Sequence, residues 1–79
     1  MKVLLIEDET ALADSVMHYL KTSDVVCEYA SNKADALDKI GVYNYDCILL
    51  DIMLPDGNGF EILQEIKRQD KEDGVILIS

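Results

Sequence analysis

The chain has 79 residues, enough for one domain, and its 49% apolar and 29% charged content with a single Pro suits a packed globule rather than a disordered tail. Sixteen Asp+Glu against seven Lys+Arg give a net charge of -9, which argues against a surface that grips nucleic-acid phosphates or an anionic membrane directly. Met1-Lys2 precedes only four apolar residues before Glu7-Asp8-Glu9, and no signal-peptide core or membrane-spanning run occurs anywhere, so a cytoplasmic location is expected.

The first predicted element is a strand at Val3-Leu4-Leu5-Ile6, a short unbroken apolar run closed by acids. A helix follows in which Leu12, Val16, Tyr19 and Leu20 recur at helical spacing, with Asp14, Ser15, His18 and Lys21 turned away. Val25-Val26-Cys27-Glu28-Tyr29-Ala30 carries a charge inside it and reads as an edge strand. Asn32 is placed to cap the next helix, which turns Ala36, Leu37 and Ile40 inward and is expected to end at Gly41. Cys47-Ile48-Leu49-Leu50 is a second buried strand.

The turn Pro55-Asp56-Gly57-Asn58-Gly59 leads into a helix with Ile62, Leu63 and Ile66 inside and Glu61, Glu65 and Arg68 in water. Asp70, Glu72 and Asp73 form a solvated charged turn, and Val75-Ile76-Leu77-Ile78 is the last strand. The order β-α-β-α-β-α-β implies an α/β fold, a parallel sheet with helices on both faces. A fully apolar strand wants neighbours on both sides, so residues 1–79 are expected to be the front portion of a larger domain. Cys27 and Cys47 lie outside any CxxC pattern and read as buried thiols of a reducing compartment. His18, the single His, reads as a surface residue.

Open parallel sheets put their sites at the carboxyl ends of strands where strand order reverses. Those ends carry Glu7-Asp8 after the first strand, Asp51 after the third and Ser79 after the fourth. With strand order 2-1-3-4, Glu7, Asp8 and Asp51 converge in one crevice. Carboxylates ~4.5 Å apart repel by roughly 3–4 kcal/mol at an effective dielectric near 20, so either their pKa values split or a hard cation sits among them. A few oxygen ligands with room for water suit Mg2+ better than Ca2+ or Zn2+. A divalent ion beside a strand-end Asp invites phosphoryl transfer to that carboxylate.

Val3-Leu-Leu-Ile-Glu-Asp-Glu9, Tyr45-Asp-Cys-Ile-Leu-Leu-Asp51-Ile-Met-Leu-Pro-Asp-Gly-Asn-Gly59 and Val75-Ile-Leu-Ile-Ser79 together resemble the receiver domain of two-component response regulators, most of all receivers joined to a winged-helix DNA-binding domain. The resemblance implies a flavodoxin-like (CheY-like) parallel sheet, strand order 2-1-3-4, with a fifth strand and two further helices beyond residue 79. It implies that Asp51 is the phosphoacceptor. Asp8, Asp51 and the backbone carbonyl of Met53 would ligate Mg2+, and Glu7 would act through a water. Ser79 would be the switch hydroxyl, and Pro55 and Gly59 would shape the turn.

Glu7 stands where many relatives have Asp, and the family's phosphate-binding Lys and switch aromatic fall beyond Ser79. The implied function is a phosphorylation-dependent receiver, not an enzyme in the ordinary sense. It would take its phosphoryl group from a sensor histidine kinase and relay it to an output in transcription regulation. DNA would be met through a C-terminal domain rather than by this segment, with no membrane partner and with room for a homodimer of the complete protein. A phosphorylation-independent interaction module of the same shape is the alternative.

Other motifs fail on their spacing. Asp56-Gly-Asn-Gly59 lacks the central Gly and terminal Glu of a calcium loop, and Gly57-x-Gly59 meets Ile62 where a dinucleotide fingerprint needs Gly. The acidic first turn would repel the phosphate of a flavin nucleotide. An aspartyl-phosphate phosphatase would want an acid two residues after its nucleophile, where this chain has Met53.

Overall fold

The computed structural model describes residues 1–69 and 74–77. Its elements are β1 (Lys2–Ile6), α1 (Thr10–Thr22), β2 (Val26–Ala30), α2 (Lys33–Val42), β3 (Cys47–Leu50), β4 (Met53–Leu54), β5 (Gly57–Asn58), α3 (Gly59–Arg68) and β6 (Gly74–Leu77). The main sheet has the order β2-β1-β3-β6. All of its pairings are parallel, with Ile6 opposite Ala30 on one side and Leu50 on the other. This is the flavodoxin-like order expected from the strand-end reading, with β6 as the fourth strand of the sheet.

Alternation along the strands sorts the core into two layers. Leu4, Ile6, Ile48 and Leu50 pack with Ala36 and Ile40 of α2 and with Ile62 and Ile66 of α3 in one buried cluster that also holds Ala30, Tyr45 and Leu54. Val3 and Leu5 alternate with these residues along β1, and on that opposite face α1 lies along β2 and buries Ala13. At about 25 cal/mol per Å2, each fully buried Leu or Ile contributes roughly 1.5–3 kcal/mol against chain entropy.

The structure corrects three details. In α1 the inward stripe is Ala13 with half-buried Val16, Met17 and Leu20, while Leu12 is 43% and Tyr19 70% exposed. Next, α2 runs through Gly41 to Val42, with Tyr43 donating its N–H to the Lys39 carbonyl. Gly41 therefore sits inside the last turn, where nothing lies within 4 Å of a Cβ built on it.

Third, the segment after Asp51 is a small antiparallel hairpin, with Met53 paired to Asn58 and Leu54 to Gly57. In line with a strand that wants a further neighbour, β6 lies at the sheet edge among the described residues and is exposed at Ile76 (52%) and Leu77 (42%), with Val75 half-buried against the core. Ile78, Ser79 and the charged turn at Asp70, Glu72 and Asp73 lie outside the described residues.

Asn32 is the cap it was expected to be, whereas the two cysteines are less buried than expected. Asn32 caps α2, its side chain accepting from the Asp35 N–H. Cys27 and Cys47 are free and half-buried, and both pair with Val3 from opposite sides. Two strand spacings, about 10 Å, separate them, beyond the reach of a disulfide. No described helix is long and apolar enough to cross a membrane.

Candidate metal and phosphoacceptor site

The register that pairs Ile6 with Leu50 fixes where the acids go. Glu7 and Asp51 are each one residue past the end of adjacent strands, and the ladder continues through them. The Glu7 N–H donates to the Ala30 carbonyl at 3.1 Å, and the Asp51 N–H donates to the Ile6 carbonyl at 3.0 Å. Strand order reverses between β1 and β3, so both carboxylates enter the crevice that such a reversal opens. Asp8, next along the turn into α1, joins them from the exposed side. Ligand oxygens of Glu7, Asp8 and Asp51 all lie within 4.8 Å of one another.

Burial makes this a demanding arrangement. Glu7 is 3% and Asp51 7% exposed. The Glu7 carboxyl is pushed up to about 7, first by burial and then by a hydrogen bond with the Asp51 side chain, while a hydrogen bond from the Glu9 N–H pulls the other way. A carboxyl that holds a proton near neutrality beside two other carboxylates marks a site short of positive charge. The donor set is all oxygen, partly open to water through Asp8, and fits a hard divalent cation such as Mg2+.

Hydrogen bonds from both backbone and side chain hold the crevice in place. The Met53 N–H donates to Asp51 Oδ1 at 3.1 Å and fixes that carboxylate from within its own loop. The Tyr29 hydroxyl donates to the Glu7 carbonyl at 2.7 Å and ties the end of β1 to β2. The Met53 side chain is exposed, so only the residue's backbone faces this task. Pro55 is exposed in the hairpin turn. Gly59 is buried where α3 begins, its N–H on the Ile52 carbonyl at 2.7 Å. A Cβ at Gly59 would lie 2.6 Å from the Asp51 carbonyl oxygen and 3.0 Å from Ile52 Cα, so only glycine lets α3 start against the loop that follows Asp51.

Sequence reasoning foresaw Glu7, Asp8 and Asp51 together, and it missed Tyr29 and Asp56. Asp56, in the hairpin turn, accepts from the Lys33 N–H (2.7 Å) and the Ala34 N–H (3.0 Å) at the start of α2. Nothing local signals that contact, because its partners lie 22 and 23 residues earlier. His18 is exposed, as read from its position, and Ser79 lies outside the described residues.

Comparison with known proteins agrees with this geometry. Residues 3–79 match the response regulator receiver domain family. The cell cycle response regulator CtrA of Brucella ovis is 34% identical over 79 residues, which is all of this chain and 34% of that protein. Thus the chain spans about a third of the length of the curated relatives it matches. Among solved structures, a CheY-like receiver domain from Methanospirillum hungatei superposes with a TM-score of 0.92 at 29% identity, covering 96% of this chain and 61% of that one. The response regulator TrrA of Thermotoga maritima, solved in complex with Mg2+-BeF, gives 0.90 at 30% identity and covers 96% and 66%.

Proposed function

This chain belongs to the response regulator receiver domain family, and we propose that it works as a phosphorylation-dependent signal receiver with Asp51 as its phosphoacceptor. The observation that carries the reading is the convergence of buried Glu7 and Asp51 with Asp8 inside 4.8 Å at the strand-order reversal. Receiver domains are signalling domains rather than classical enzymes, and the chemistry proposed is transfer to the chain's own side chain followed by self-dephosphorylation. An Asp51 carboxylate oxygen attacks the phosphorus of a phosphohistidine on a sensor histidine kinase. The P–N bond breaks, its electron pair leaves with the imidazole, and the imidazole takes up a proton. The product is an acyl phosphate on Asp51.

Asp8, Asp51 and the Met53 carbonyl would hold Mg2+ directly, with Glu7 acting through a water. The ion supplies charge neutralisation for the incoming phosphoryl group. The binding of Mg2+-BeF by the TrrA relative supports this choice of metal. The chain's own contribution is positional: β1 and β3 present the acids, the Met53 N–H orients Asp51, and Gly59 and Pro55 shape the loop after it. Ser79 is assigned the switch hydroxyl on the resemblance alone.

We assign residues 1–79 to the N-terminal part of a receiver domain in a longer cytoplasmic protein. Its output would be transcription regulation through a separate DNA-binding domain, with scope for homodimerisation. The complete acidic set weighs against a phosphate-independent interaction module. The test is incubation of the full-length protein with acetyl phosphate and Mg2+. Phosphate incorporation is expected in the unmodified protein and absent in Asp51→Asn, and labelling of Asp51→Asn at the unmodified level would overturn the assignment.

A further inference from the structure

The hairpin that follows Asp51 is tied to a helix that contributes nothing to the acidic crevice. At its turn, the Asp56 carboxylate accepts from two successive backbone donors at the N-terminus of α2, Lys33 and Ala34. These are among the groups a helix leaves unpaired at its start. The side chain of Asn32, the local cap, accepts from the Asp35 N–H, so α2 is capped twice, once by its own chain and once by the hairpin. A second strap runs alongside. Lys33 Nζ pairs with Glu61 Oε2 at 2.6 Å, and Glu61 is locked in a reciprocal capping box with Asn58 at the end of the hairpin. The hairpin lies close enough that a Cβ on Gly57 would lie 2.5 Å from Lys33 Cδ.

At its other end the same hairpin holds Asp51, through the Met53 N–H. Only Leu54 and Pro55 separate Met53 from Asp56. We propose that Asp56 is a positioning residue for the metal site. By gripping the α2 N-terminus it holds the β4–β5 hairpin in the conformation that presents the Met53 backbone to the crevice, and so it sets Mg2+ affinity from outside the ligand set. The inference rests on the reading of Glu7, Asp8 and Asp51 as a Mg2+ site. Groups that orient metal ligands without touching the metal commonly change affinity by 10–100-fold when removed.

The test is calorimetric titration of the full-length protein with MgCl2 alone, beside the metal-free melting temperature of each variant. Asp56→Ala is expected to weaken Mg2+ binding by roughly tenfold. Asp56→Asn keeps an acceptor but loses the charge, and it should retain most of the affinity. Asn32→Ala removes the other cap of the same helix without touching the hairpin. It should lower the melting temperature about as much as Asp56→Ala does while leaving Mg2+ affinity unchanged.

Unchanged affinity in Asp56→Ala overturns the proposal. So does equal weakening in Asn32→Ala, which would trace the effect to helix stability, and so does an Asp56→Asn variant as weak as Ala, which would trace it to charge. Failure of the unmodified protein to bind Mg2+, or binding indifferent to Asp8→Asn and Asp51→Asn, overturns the metal-site reading beneath it and is distinguished by those controls.

Discussion

Asp8 and Glu7 are adjacent in the chain and sit in opposite surroundings. Glu7 is buried and its carboxyl is pushed up to about 7, whereas Asp8 is exposed. Two charges 4.8 Å apart repel by about 1 kcal/mol in water and about 3.5 kcal/mol at an effective dielectric of 20, so the metal-free crevice carries a cost of that order. Asp8→Asn is therefore expected to weaken Mg2+ binding while leaving the metal-free melting temperature unchanged or higher. Calorimetry and thermal melting on one preparation check both halves, and a clear drop in metal-free melting temperature would make Asp8 a structural residue. The acids were legible in the sequence because Glu7 and Asp51 directly follow apolar runs and Asp8 comes next after Glu7, so strand ends could be located without knowing any contact. Asp56 was not, because its partners are set by the return of the chain rather than by spacing. The same holds for Tyr29, whose hydroxyl reaches Glu7 across 22 positions.

Elements show where local pattern stops being informative. The apolar runs of β1 and β3 read correctly because strands buried on both faces need only be uniformly apolar. In α1 the pattern picked out large side chains, but the helix turns Ala13 to the sheet and leaves Tyr19 in water. The β4–β5 hairpin was invisible, since two-residue strands carry no periodicity and Pro55-Asp56 signals only a turn. Its junction with α3 gives a sharp expectation. Gly59→Ala places a methyl against the Asp51 backbone and should cost about 1–3 kcal/mol of stability, measured by urea unfolding, because the obstructing atoms are main chain.

At the opposite end of the sheet, buried Tyr45 donates to Glu28 Oε1 at 2.5 Å, and Lys2 pairs with the same carboxylate at 3.5 Å. The Tyr45 hydrogen bond, with Lys2 adding to it, holds Glu28 below its ordinary 4.5. Folded Glu28 thus binds fewer protons than unfolded Glu28 in acid. Its contribution is present above about pH 4.5 and is lost as pH falls through the lowered value. Tyr45→Phe should cost ~1.5 kcal/mol at pH 7 and distinctly less at pH 3. Denaturant melts at the two pH values check this, and an equal cost at both would assign the loss to packing.

For the molecule as a whole, the sheet is protected unevenly. Its β1–β3 centre is buried, while β6 is an edge among the described residues and exposes Ile76 and Leu77. Unpaired apolar edges recruit other chains. The 79-residue chain studied alone is expected to self-associate, and Ile76→Lys should shift its sedimentation toward the monomer. A chain that stays monomeric at high concentration and melts cooperatively would show that β6 needs no cover.

The central claim concerns a single bond, between phosphorus and an Asp51 oxygen, formed in a crevice that three carboxylates define. The direct measurement is to phosphorylate the full-length protein with acetyl phosphate and Mg2+, reduce it with borohydride, and map the product by peptide mass spectrometry. An acyl phosphate is reduced to an alcohol, so the account predicts homoserine at position 51, abolished by chelating the metal and absent in Asp51→Asn. Reduction at another carboxylate, or a modification at position 51 that forms equally well with the metal chelated, would contradict it.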